Sequence, residues 1–96
     1  MRILAIEVEN PGISSHEFTR LQKAEAKIVW KLYQEDFIRE MYFRGDQTSA
    51  VLLLECSDIE EAQRKLAKLP MVSEGLINFD LIPLVPYPGL SRLFSH

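Results

Sequence analysis

The 96-residue sequence predicts a single α+β domain with its elements in the order βαββαβ. Three observations carry that prediction. Residues 2–8, 38–43 and 76–84 alternate in polarity with a strand's period of two. Two further stretches repeat apolar residues at helical spacing behind Ser-x-x-Glu starts. Turn-forming segments, Asn10-Pro11-Gly12 and residues 44–49 among them, separate the periodic runs.

The first strand, residues 2–8, sets Leu4, Ile6 and Val8 on one face and Ala5 and Glu7 on the other. Ser14 and Glu17 have capping-box spacing, so a helix starts there and runs to about residue 34. Its stripe is Phe18, Leu21, Ile28, Val29 and Leu32, within an arc of about 100°. Trp30, Tyr33 and, if the helix continues, Phe37 fall on a neighbouring face. Residues 38–43 form strand two, and the polar turn after them leads to strand three, residues 50–56. That run is almost wholly apolar, as a central strand is. Ser57-Asp58-Ile59-Glu60 is a second capping box, and Ile59, Ala62, Leu66 and Leu69 make a short helical stripe that Pro70 ends. Strand four, about residues 76–84, opposes Ile77, Phe79 and Leu81 to Asn78 and Asp80. The domain thus covers residues 1–84. Residues 85–96 form a tail that Pro86, Pro88 and Gly89 should keep irregular, yet it carries Tyr87, Leu90, Leu93 and Phe94.

This order is the ferredoxin-like arrangement, a four-stranded antiparallel sheet with two helices on one face. The other face is expected to carry Ala5, Glu7, Glu40, Tyr42, Asn78 and Asp80 around the leucines of strand three. Apolar material ringed by acids suits bare water poorly, so a second copy packed face to face around a small cavity is expected. The tail would then pack on the partner subunit.

Composition narrows the function. Hydrophobic residues at 47% and charged residues at 26% describe an ordinary globular chain. The net charge of −3 argues against a nucleic-acid partner, which selects a basic face. No apolar run approaches the roughly 20 residues of a membrane helix, and no leader is visible, so neither a membrane partner nor export is expected. The single cysteine, Cys56, fits a cytoplasmic location and an inert buried thiol. Two remote histidines, His16 and His96, supply no metal set, and the glycines make no phosphate cradle. No metal and no cofactor are expected.

Glu25 is the most informative position. It falls inside the apolar stripe, between Leu21 and Ile28, so either its pKa is raised by burial or a cation such as Arg39 meets it. Glu40 and Tyr42 share a strand face and, with Glu7, Asn78 and Asp80, either line a dimer cavity or form a salt-bridged surface. Arg39 is either a carboxylate anchor or a partner for Glu25 or Glu35. Trp30, Tyr33 and Phe37 read either as an oligomer contact, able to receive the partner's Tyr87, Leu90 and Phe94, or as ordinary core at the helix edge.

Several stretches in order carry a family resemblance: Leu21 through Glu25 to Leu32, Phe37-Ile38-Arg39-Glu40-Met41-Tyr42, Glu55-Cys56-Ser57-Asp58-Ile59-Glu60, and Leu66-Ala67-Lys68-Leu69-Pro70-Met71-Val72. Over about residues 21–88 the sequence resembles the muconolactone delta-isomerase family of dimeric α+β barrels. Two positions depart, with Glu40 and Tyr42 where the family has a histidine and a tryptophan, which marks a divergent sister group. The resemblance implies a homodimer or larger ring. It also implies a cofactor-free proton transfer that shifts a double bond in a small unsaturated lactone or acid. In that reading Glu25 or Glu40 carries the proton, Tyr42 donates a hydrogen bond, Arg39 anchors a carboxylate, and Glu7, Asn78 and Asp80 contact substrate. The alternatives are a non-catalytic ligand-binding or oligomerisation module of the same fold and, behind it, a dimeric-barrel oxidative enzyme.

Overall fold

A computed structural model describes residues 1–95; His96 lies outside the described residues. The chain runs β1 (Arg2–Glu9), α1 (Ser15–Gln34), β2 (Ile38–Phe43), β3 (Ala50–Glu55), α2 (Ile59–Leu66), α3 (Pro70–Ser73) and β4 (Ile77–Leu84), then a 3₁₀ segment (Pro88–Phe94). The four strands form one antiparallel sheet in the order β2-β3-β1-β4. This is the α+β, ferredoxin-like βαββαβ fold, with α3 as a short addition. Among the described residues no helix is long and apolar enough to cross a membrane.

The core lies between the helices and one face of the sheet. Ile3, Ala5, Leu52 and Leu54 supply the sheet side, and Leu32, Ala62, Leu66 and Leu69 pack onto it. A second cluster joins Leu21 of α1 to Leu76 and Ile77 at the start of β4. The register places Ala5 opposite Leu52 and Leu81, so these three share the helix-covered face.

That register corrects the expected faces of β1. Ala5 and Glu7 look toward the helices, and Leu4, Ile6 and Val8 look away from them. Alternation shows that the two sets oppose each other; it cannot show which set meets the helices when both contain apolar residues. The bare face therefore carries Leu4, Ile6, Val51 and Leu53 at its centre, with Ile82 and Leu84 from β4. Glu40, Tyr42, Asn78 and Asp80 share this face, as expected. On β2 a bulge between Ile38 and Glu40 takes up Arg39 as an extra residue. Without it, buried Ile38 would share a face with Glu40. Pro83 sits in β4, which pairs only with β1, so its missing N–H is tolerated on the sheet's outer side.

Local details differ from expectation for identifiable reasons. Ser14 is the N-cap of α1, but its side chain makes no capping bond, and Glu17 instead takes Arg20 at 2.7 Å. The second box is shifted by one residue. Asp58 accepts from the Glu61 N–H at 2.7 Å, and Glu61 reaches back to the Ser57 N–H at 3.1 Å. Helix α1 stops at Gln34 in a Schellman turn, with Phe37 N–H to Leu32 carbonyl and Asp36 N–H to Tyr33 carbonyl, both 3.1 Å. Asp36 takes the left-handed position, φ 63°, usually filled by glycine. The turn carries Phe37 off the Trp30 side and into the core, where it is 1% exposed. Pro70 ends the α2 region and also opens α3 at its first position, where a proline suits a helix. Gly75, at φ 80°, closes α3 with the same Schellman pattern.

The tail is not irregular. Residues 88–94 form a 3₁₀ segment, and the exposed Tyr87 ring folds over Gly89, where a larger side chain would push the ring aside. The molecule measures 60 × 29 × 20 Å, with a radius of gyration of 15.8 Å. A compact chain of this length would have about 12–13 Å. The tail accounts for the difference in character: Val85, Tyr87, Leu90, Leu93 and Phe94 are all exposed, Phe94 at 81%.

Candidate functional site

A cavity of about 510 Å³ opens between α1 and the helix-covered face of the sheet. Helix α1 contributes Gln22, Glu25, Ala26, Val29 and Trp30. The sheet contributes Glu7, Met41, Phe43, Leu52 and Phe79, and Leu69 and Met71 close one side. Space remains because Ala26 and Ala50 are small where larger residues would fill it. The volume suits a molecule of one or two rings.

Two half-buried carboxylates face this apolar space. Glu25 comes from the middle of the helical stripe and accepts the Met71 N–H at 2.9 Å. That N–H lies in the first turn of α3, where helix geometry leaves donors free. Glu7 comes from β1 and accepts the Ala50 N–H at 3.3 Å. Burial raises the pKa of both above the ordinary 4.5. Repulsion from Glu9 and Glu25 raises Glu7 further, against the opposing pull of the Ala50 N–H. The Met71 N–H opposes the rise at Glu25 in the same way.

The residues singled out in the sequence fall into three places. Glu7, Glu25, Trp30 and Tyr42 line the cavity. Glu40 lies outside its lining but accepts the Tyr42 hydroxyl at 2.6 Å, which raises the phenol's pKa. Arg39 is exposed in a separate hollow with Tyr33, Gln34 and Asp36, and its Nε donates to the Asp36 carbonyl at 2.9 Å. It does not meet Glu25. Asn78 and Asp80 border a third hollow beside α2, and Asn78 donates to Asn10 at 2.8 Å.

Trp30 stacks on Tyr33 with centroids 5.8 Å apart and stays 56% exposed. Cys56 is buried, its thiol raised by burial and directed at the Asp58 carbonyl, 3.3 Å away. Among the described residues no three of His, Cys, Asp and Glu are grouped to hold a metal ion. Sequence reasoning missed the pairing of Glu7 with Glu25, because it assigned Glu7 to the bare face. It also missed Met71, whose role is played by a backbone N–H. The Leu-Pro step at 69–70 was the available signal for a new helix start there.

No protein-family model matches the sequence, and no curated protein matches it. Solved structures do match. Muconolactone isomerase superposes with a TM-score of 0.74 at 16% identity, covering 92% of this chain and 92% of that one. The 5-chloro-2-hydroxyhydroquinone dehydrochlorinase TftG of Burkholderia phenoliruptrix AC1100, solved with 2,5-dihydroxybenzoquinone, gives 0.71 at 17% identity, covering 88% of this chain and 94% of that one. The fold expected from the resemblance to the muconolactone delta-isomerases is the fold found: this chain is built like muconolactone isomerase and like that dehydrochlorinase.

Proposed function

We propose that the chain is a small-molecule enzyme that moves a proton within an unsaturated cyclic substrate, using its own carboxylates. The observation that carries this reading is the pair of half-buried glutamates at an apolar cavity, Glu25 and Glu7. A carboxylate partly stripped of its water is a stronger base toward a C–H proton. The two structural neighbours, an isomerase and a dehydrochlorinase of small molecules, support the same class.

The step is an allylic shift. Glu25 takes the proton from the carbon between the carbonyl and the double bond, and the C–H electron pair enters a dienolate. A carboxylic acid then returns a proton to the far carbon, so proton count and oxidation state are unchanged. Both carboxyls are raised by burial; in this reading Glu25, fixed by the Met71 N–H, is the base and Glu7 the acid. The carboxylic acid form of Glu7 is the donor available inside the cavity to the developing oxyanion. The test uses an unsubstituted β,γ-unsaturated butenolide, with isomerisation followed by ultraviolet absorbance. Glu25→Gln should lower kcat by about 100-fold or more with an unchanged circular dichroism spectrum. Equal turnover in both proteins would sink the assignment. Glu7→Gln should remove the alkaline limb of the pH profile.

The unit that does this is more than one chain in our reading. A second copy would cover the bare sheet face, and the tail would dock on the partner's Trp30 and Tyr33. Light scattering should give a multiple of 11.1 kDa at micromolar concentration. The exposed tail and bare face equally favour a second reading, a ligand-binding or assembly module without turnover. A butenolide that binds but is not isomerised would select it.

A further inference from the structure

We infer that this cavity selects uncharged, ring-sized substrates and turns away carboxylates. The inference rests on reading the cavity as the substrate site, and it narrows the substrate class of the proposed reaction. The lining supplies two acids, Glu7 and Glu25, and among the described residues no lysine, arginine or histidine. Val29, Met41, Leu52 and Phe79 make the rest apolar. A carboxylate brought into such a space gives up its water and gains no cation, while it approaches two like charges. A neutral carbonyl carries no such cost, and a protonated glutamate can donate to it.

The arginines nearest in sequence to these elements are engaged elsewhere. Arg20 bonds Glu17 and Glu74, Arg2 bonds Glu55, and Arg44 grips Asp46. Arg39 points its Nε at the Asp36 carbonyl in its own hollow. A net charge of −3 adds a weak repulsion of anions over the whole surface.

The chain has one tryptophan, Trp30, and it stands at the cavity wall, so its fluorescence reports occupancy. Methyl 2-furoate and 2-furoate are matched probes that differ in charge. Titrated at about pH 7, where 2-furoate is ionised, the ester should bind at least about tenfold more tightly than the acid. Gln22→Lys, an exposed wall position, should close the gap by raising affinity for the acid. A Glu7→Gln/Glu25→Gln double variant should close it by removing the repulsion. Equal or tighter binding of 2-furoate by the natural sequence would overturn the inference, as would no saturable binding of either probe at millimolar concentration. The proposed chemistry fails separately: an intact ester preference with equal turnover in Glu25→Gln would remove the reaction and keep the selectivity.

Discussion

On β1, Ile3 and Ala5 are sealed beneath the helices, whereas Leu4 and Ile6, each one residue further on, remain partly open on the other side. The same contrast runs across β3, where Leu52 and Leu54 are core and Val51 and Leu53 are not. Both faces are apolar at their centre. What separates them is the material packed against each, and the chemistry follows that material. Glu7 acquires a raised pKa because burial on the helix-covered face strips it of water; on the bare face the same carboxylate would be hydrated.

The largest expected effect comes from breaking the covered side. Leu54→Ala should cost about 2–5 kcal/mol, read by denaturant unfolding at any protein concentration. Ile82→Glu, on the bare side, should change the stability of the isolated chain by no more than about 0.5 kcal/mol. It should instead reduce the scattering mass to 11.1 kDa. If Ile82→Glu unfolds the chain outright, the two faces are not as different as their burial indicates. Glu25→Gln sharpens the contrast through pH. Folding raises the Glu25 pKa, so the acid's contribution is fully present below the ordinary 4.5 and is lost as pH rises through its folded value. The glutamine variant should therefore melt about 1–3 °C higher near pH 7, with the advantage gone in acid. The smallest effect concerns the turn that delivers Phe37 to the covered side. Asp36→Gly should stabilise by about 0.5–1 kcal/mol, because glycine accepts φ 63° without strain.

The element order was legible because period and punctuation act locally: all four strands and the long helix could be placed within a residue or two. Glu25 was legible for the same reason, as a charge inside a helical stripe. Facing was not, since Leu4, Ile6 and Val8 are as apolar as anything beneath the helices. The route of Phe37 was hidden because an aspartate stands where a glycine would have announced the helix end. The second carboxylate of the site was hidden with the facing of β1. The hydrogen bond that fixes Glu25 comes from a backbone donor that no side-chain pattern can mark.

The bulge at Arg39 and the proline at position 83 lie on the two outermost strands. One twists its rim away from straight pairing, and the other removes a donor from the opposite rim. Both margins thus resist lateral strand addition, the route by which sheets lengthen into fibrils.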